Sequence, residues 1–138
     1  MNWTLEVVCV PVTDVDRAKD FYADRVGFNL DFDSPISEEV RVVQLTPPGS
    51  GCSIQVGKGI VDMPPGSLEG LQLVVPDLKA ARAELVERGV KVTEIQVYDA
   101  DGGLRPSREG DSLDNVGFVY FSDPDGNRWT VQQISSRG

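Results

Sequence analysis

GLQLVVPDLKAARAELVERGVKV, residues 70–92, reads as a short apolar strand, a capped helix and a glycine stop. Asp77 has the short acceptor side chain of an N-cap, and Leu78, Ala81, Leu85 and Val86 recur at helical spacing before Gly89. The same order occurs upstream. LEVVCVPV, residues 5–12, is β-branched and strand-like, and TDVDRAKDFYADRVGF, residues 13–28, follows it. There Thr13 or Asp14 caps a helix with Val15, Ala18, Phe21 and Tyr22 on its apolar side, and Gly27 ends it. Asp14 and Asp77 lie 63 positions apart, as do Ala18 and Ala81, while the terminal glycines agree after a slip of one residue. The chain contains an internal repeat.

Strand-like segments follow each helix. In the first half they are FNLDFD, VRVVQLT and CSIQVG; in the second, VKVTEIQVY, VGFVYFS and RWTVQQI, with the turn Asp123–Gly126 between the last two. Each half therefore reads as βαβββ, the first over residues 1–57 and the second over 70–138, with a Gly- and Pro-rich linker at 58–69. One helix cannot cover both sides of such a sheet. The expected fold is α+β: one domain of two tandem βαβββ modules forming a curved mixed sheet, with an inner cleft and the helices on the outer face. Residues 99–115, DADGGLRPSREGDSLDN, make a long irregular stretch, read either as a lid or as a mobile loop.

The chain has 138 residues, enough for one ordinary domain. Its 40% hydrophobic and 25% charged composition is that of a globular protein. No apolar run approaches the ~20 residues of a membrane span, and no leader pattern opens the sequence, so a cytoplasmic location without membrane partners is expected. A net charge of −9 argues against nucleic-acid binding and favours cationic ligands. Two cysteines, Cys9 and Cys52, are read as small thiols rather than a disulfide framework. There is no histidine, which removes the commonest metal ligand and general base and excludes His-dependent triads.

VPVTDVDRAKDFYADRVGF, LQLVVPDLKAARAELVERGV and FSDPDGNRWTVQQ, in this order and spacing, make the chain resemble the vicinal oxygen chelate superfamily. That family includes glyoxalase I, extradiol dioxygenases and bleomycin-resistance proteins. The resemblance implies two modules, frequent homodimers, and in metal-binding members four ligand positions on the first and last strands of each module. Here those positions hold Val7, Gln55, Gly70 and Thr130. None is a carboxylate or imidazole, so no metal and no cofactor is expected.

Counting by twos from these positions assigns Cys9, Ser53, Gln72, Val74, Arg128 and Gln132 to the cleft, while the opposite parity is almost wholly apolar. The expected ligand-binding residues are Gln55, Gln72, Thr130, Gln132, Arg128 and Cys9, with Trp3, Tyr98 and Tyr120 as stacking candidates and no catalytic residue identified. The glutamines suit a polar organic ligand, or they bond one another and the backbone. The expected function is metal-free binding of a small molecule, for instance a cationic antibiotic or metabolite. The alternative is a lyase, isomerase or dioxygenase with a non-standard site, drawing acids from Asp99, Asp101, Glu109, Asp111 and Asp114; a third is a non-catalytic interaction module.

Overall fold

Asp14 and Asp77 start equivalent helices. Both have extended backbone angles (φ −118°, ψ 104° and φ −138°, ψ 100°). Each carboxylate accepts from the amide three residues on, Arg17 N for Asp14 and Ala80 N for Asp77, both at 3.1 Å. The computed structural model describes residues 1–137. Among them are two α-helices and nine strands: β1 (Val7–Cys9), α1 (Val15–Asp20), β2 (Asn29–Pro35), β3 (Arg41–Thr46), β4 (Ser53–Lys58), β5 (Leu71–Val75), α2 (Leu78–Glu87), β6 (Gln96–Tyr98), β7 (Leu104–Pro106), β8 (Gly117–Ser122) and β9 (Arg128–Gln133). No helix among the described residues is long and apolar enough to cross a membrane.

The repeat extends to strand register. Hydrogen bonding divides the strands into two mixed sheets, β1-β4-β3-β2 and β5-β9-β8-β6-β7. In each, the module's first strand pairs in parallel with its last: Cys9 lies opposite Gln55, and its repeat counterpart Gln72 lies opposite Thr130. The one-residue slip between the terminal glycines also has a physical origin. After Asp20 the first helix widens into a π-helical turn, Phe21–Val26, which Gly27 closes at φ 89° with its amide on Tyr22 O. A π-turn absorbs one extra residue per turn. The longer spacing between Asp14 and Gly27 is taken up there.

Two departures from the expected strands sit in the second module. The segment read as one strand, VKVTEIQVY, is broken: Val92 makes an isolated bridge to Phe121, and regular pairing resumes only at Gln96. In the gap the Thr93 hydroxyl accepts the Tyr120 amide at 3.1 Å, a side chain standing in for a ladder acceptor. The stretch 99–115, read as irregular throughout, contains β7, paired antiparallel with β6. Arg105 clasps it, bonding Asp99 at 2.7 Å and Asp111 at 2.9 Å.

The chain forms two compact units, whose boundary differs from that of the modules. The first holds Met1–Leu68 together with Asp123–Asn127; the second holds Glu69–Ser122 and the strand from Arg128 on. In the first unit Val10, Ala18, Tyr22, Phe28, Val43, Leu45, Ile54 and Val56 are buried. In the second, Leu78, Leu85, Val97, Val119, Phe121, Trp129 and Val131 are buried. On the α1 side of the first sheet, Asp33 bonds Arg41 and Lys19, whose cationic groups hold its carboxyl well below the usual carboxylate range.

The β8–β9 turn thus belongs to the first unit although its strands belong to the second. Asp123 Oδ1 accepts from Asp125 N and Asn127 N, at 3.0 and 2.9 Å. Its Oδ2 accepts the Tyr22 hydroxyl at 2.7 Å and Asn127 Nδ2 at 2.8 Å. Asn127 Nδ2 also donates to Pro11 O, and Asn127 Oδ1 accepts Leu68 N. Asp125 Oδ1 accepts from the amide and hydroxyl of Thr13. The end of the expected linker packs here too: a Cβ on Gly66 (φ 79°) would lie 2.0 Å from Asp125 O. Tyr22 and Asn127 are both fully buried.

These bonds make a ranked prediction. Tyr22→Phe removes one donor and is expected to lower unfolding free energy by about 1–2 kcal/mol. Asn127→Ala strands the Leu68 amide and takes one donor each from Asp123 and the Pro11 carbonyl, which keeps only Gly66 N, and its cost is expected to reach about 3 kcal/mol. Urea midpoints in which Asn127→Ala is no worse than Tyr22→Phe would contradict this account.

Candidate functional site

The apolar parity predicted from sequence packs inward, leaving a polar row on the other face of each sheet. In the first unit, Val43, Leu45, Ile54 and Val56 point into the core. The opposite face carries a cross-strand row of Cys9, Gln55, Gln44 and Phe32. Gln55 Nε2 donates to Gln44 Oε1 at 3.0 Å, and the Cys9 thiol lies 4.0 Å from Gln55 Oε1. Gln44 Nε2 then donates to Asp31 Oδ2 at 3.2 Å. Thr46 also bonds Asp31, and its hydroxyl lies 2.7 Å from that of Ser53. Cys9 and Cys52 are both free, half-buried thiols.

In the second unit, Val119, Phe121, Trp129 and Val131 face the core. Gln72, Thr130 and Tyr120 form one row on the opposite face, and Val74, Gln132, Phe118 and Gln96 form the next. Gln72 Nε2 donates to Gln132 Oε1 at 2.6 Å, and Gln132 Nε2 donates to Asn115 O at 2.9 Å. The glutamines therefore do bond one another and the backbone, which sets their orientation while Gln72 stays exposed. Beside them Tyr98 meets Phe118 edge-on at 5.4 Å, and Phe118 lies nearly parallel to Tyr120 at 6.5 Å. Burial, and next the Tyr98 phenol, push the Tyr120 phenol above its ordinary value, so at neutral pH it is a neutral donor and acceptor.

The six expected ligand-binding residues are thus split. Cys9 and Gln55 share the first unit's polar face; Gln72, Thr130 and Gln132 share the second's. Arg128 sits at the turn end of β9, largely exposed, and pairs with Glu69 at 3.3 Å. Of the stacking candidates, Tyr98 and Tyr120 belong to the aromatic row, whereas Trp3 precedes β1 and is 87% exposed. Sequence reasoning missed Phe118, which alternation along VGFVYFS places beside Tyr120, and it missed Asp31, Gln44 and Thr46.

The acidic residues of 99–115 are mostly spent on structure. The Arg105 guanidinium, and next the Arg108 amide, hold the Asp111 carboxyl down to about 2. Asp114 accepts from Gln133 Nε2 and from the amide and hydroxyl of Ser135. Asp101 accepts Gly103 N. The Asp111 and Asp114 carboxyls, both held below their ordinary values, are poor proton donors near neutral pH.

The four positions that the resemblance assigns to metal do not fit one. Val7 and Gly70 bring no donor atom, and Gln55 and Thr130 bring only neutral oxygens. Among the described residues no three His, Cys, Asp or Glu side chains gather where they could hold a metal ion.

The family model described as "Glyoxalase/Bleomycin resistance protein/Dioxygenase superfamily" matches residues 4–131. Among solved structures, the antibiotic binding protein TnmS3 from Streptomyces sp. CB03234 is 35% identical, covering 97% of this chain and 98% of its own, with a TM-score of 0.74. A glyoxalase/bleomycin resistance protein from the same organism is also 35% identical, over 94% of this chain and 100% of its own, at a TM-score of 0.71. A superfamily member from Sphaerobacter thermophilus DSM 20745 is 27% identical over 96% of this chain and 98% of its own, with a TM-score of 0.74. No curated protein matches the sequence.

The donor set predicts a measurable absence. After dialysis against a mild chelator, elemental analysis of the purified protein is expected to find zinc, nickel, iron and manganese well below one per chain. A stoichiometric metal would mean that ligands outside the four positions hold it.

Proposed function

The chain belongs to the glyoxalase/bleomycin resistance protein/dioxygenase superfamily, and we propose that it serves there as a metal-free binding protein for a small organic molecule. The observation that carries this reading is the second unit's open face. It sets three aromatic rings, Tyr98, Phe118 and Tyr120, beside the hydrogen-bonding side chains of Gln72, Thr130 and Gln132. Rings supply apolar contact area at low entropic cost, and a few oriented polar groups supply selectivity. The amides and hydroxyls both donate and accept, which suits a neutral or cationic molecule bearing amides, hydroxyls or amines. The side chains at positions 7, 55, 70 and 130 include no carboxylate, imidazole or thiolate to hold the Lewis acid that the superfamily's chelate chemistry would use. Similarity to an antibiotic binding protein at 35% identity supports binding over turnover and makes antibiotics a sensible first ligand class.

A thermal-shift screen of neutral and cationic metabolites and antibiotics tests this on wild type, Gln72→Ala and Phe118→Ala. At least one compound is expected to raise the wild-type melting temperature. Gln72→Ala is expected to weaken that compound by about 1–2 kcal/mol while leaving the unliganded melting point nearly unchanged, because Gln72 is exposed. If no compound stabilises the wild type and both variants melt several degrees lower, these side chains are structural and the reading fails.

A further inference from the structure

Asp31 lies in the segment FNLDFD, where strict alternation along a strand would put it on the same side as Asp33. It is not there. The register of β2 against β3 shifts between Leu30 and Phe32. Asp33 therefore meets Arg41 and Lys19 on the α1 side, while Asp31 turns to Gln44 and Thr46 on the open face. Bulges re-aim side chains in this way and concentrate beside functional sites.

The hydrogen bonds around Asp31 all run one way. Cys9 leads to Gln55, Gln55 donates to Gln44, and Gln44 donates to Asp31 Oδ2. The single hydroxyl proton of Thr46 is also spent on Asp31 Oδ2, so in the Thr46–Ser53 pair Ser53 must be the donor. Two donor chains thus converge on one carboxylate oxygen and lock its orientation. Among the described residues Oδ1 accepts no hydrogen bond, and no cation pairs with this carboxylate; the nearby Arg41 and Lys19 are committed to Asp33. Phe32, 41% exposed, lies beside Gln44 on the same face.

We propose that Asp31 Oδ1 is the anchor for an ammonium or other cationic nitrogen on a small molecule bound at the first unit's open face, with Phe32 supporting the adjoining apolar portion. This assignment rests on the small-molecule-binding reading above and extends it to the first unit's face, for ligands carrying a protonated amine. A carboxylate already held by two donors loses little freedom on capturing a cation, and a chain of net charge −9 draws cations toward it.

The test is an amide-resolved NMR titration with two probes of similar size, phenethylamine and 2-phenylethanol. Phenethylamine is expected to bind the wild type more tightly than the alcohol, shifting the amides around Asp31, Gln44 and Gln55. Asp31→Asn is expected to reduce that preference by about threefold to tenfold. Asp24→Asn, which removes one charge elsewhere in the unit, is expected to preserve it. Raising the salt concentration on wild type alone is expected to weaken the amine and spare the alcohol, a readout independent of how the variants fold. Equal affinity for the two probes, an unchanged preference in Asp31→Asn, or shifts confined to residues around Gln72 and Phe118 would each overturn the assignment. If neither probe binds but the thermal-shift screen yields a stabilising compound, Asp31 is not the anchor and small-molecule binding stands. If both experiments are blank, both readings fall.

Discussion

The Asp123 carboxylate is the constraint on which the first unit's interior depends. Four donors from three residues beyond its own converge on it, and two of the side chains involved, Tyr22 and Asn127, are completely buried. Burying a carboxylate is costly unless each lone pair is met, so such a site tolerates little rearrangement. Tyr22 reaches it from the helix of the first repeat, and Asn127, which it holds from the turn, bonds in its own right the strand end at Pro11 and the linker at Leu68. A five-residue turn of the second repeat thus becomes part of the first compact unit, with Asp123 and Asn127 buried in it.

Within each unit the division of labour is the same. One sheet face, apolar and β-branched, is taken up by the core; the other is left to polar and aromatic side chains. The equal register of Cys9 with Gln55 and of Gln72 with Thr130 shows that both repeats present the same backbone frame. What differs is the furnishing. The first frame ends its row of amides on a carboxylate that a bulge has turned around, and the second sets its amides beside a row of rings.

Much of this was legible because it depends on period and position alone. The caps at Asp14 and Asp77, the repeat, the inward parity of Ile54, Val56, Trp129 and Val131, and the DPDG turn all follow from local rules that the fold does not override. Features set by non-local pairing were not legible. Asp31 looks like an ordinary alternating residue until its partner strand shows the register shift. Thr93 reads as a good strand residue, yet its hydroxyl replaces the backbone acceptor it interrupts. The 99–115 stretch has no apolar periodicity to betray β7, because ion pairs to Arg105 rather than a buried stripe hold it. The acceptor of the Tyr22 hydroxyl, Asp123, lies 101 positions away, so the local sequence gives only "buried aromatic".

The π-turn at Phe21–Val26 bears on how such a protein can change. An inserted residue in an ordinary helix rotates everything beyond it by about 100° and would carry the following strand out of step. Here the surplus is confined to a single turn, and the parallel pairing of first and last strands matches that of the sister repeat. Length variation in the helix is therefore insulated from the sheet. The duplicated halves can drift apart in the side chains they display while the scaffold beneath them stays common, which gives mutation freer rein over what is recognised than over how the chain folds.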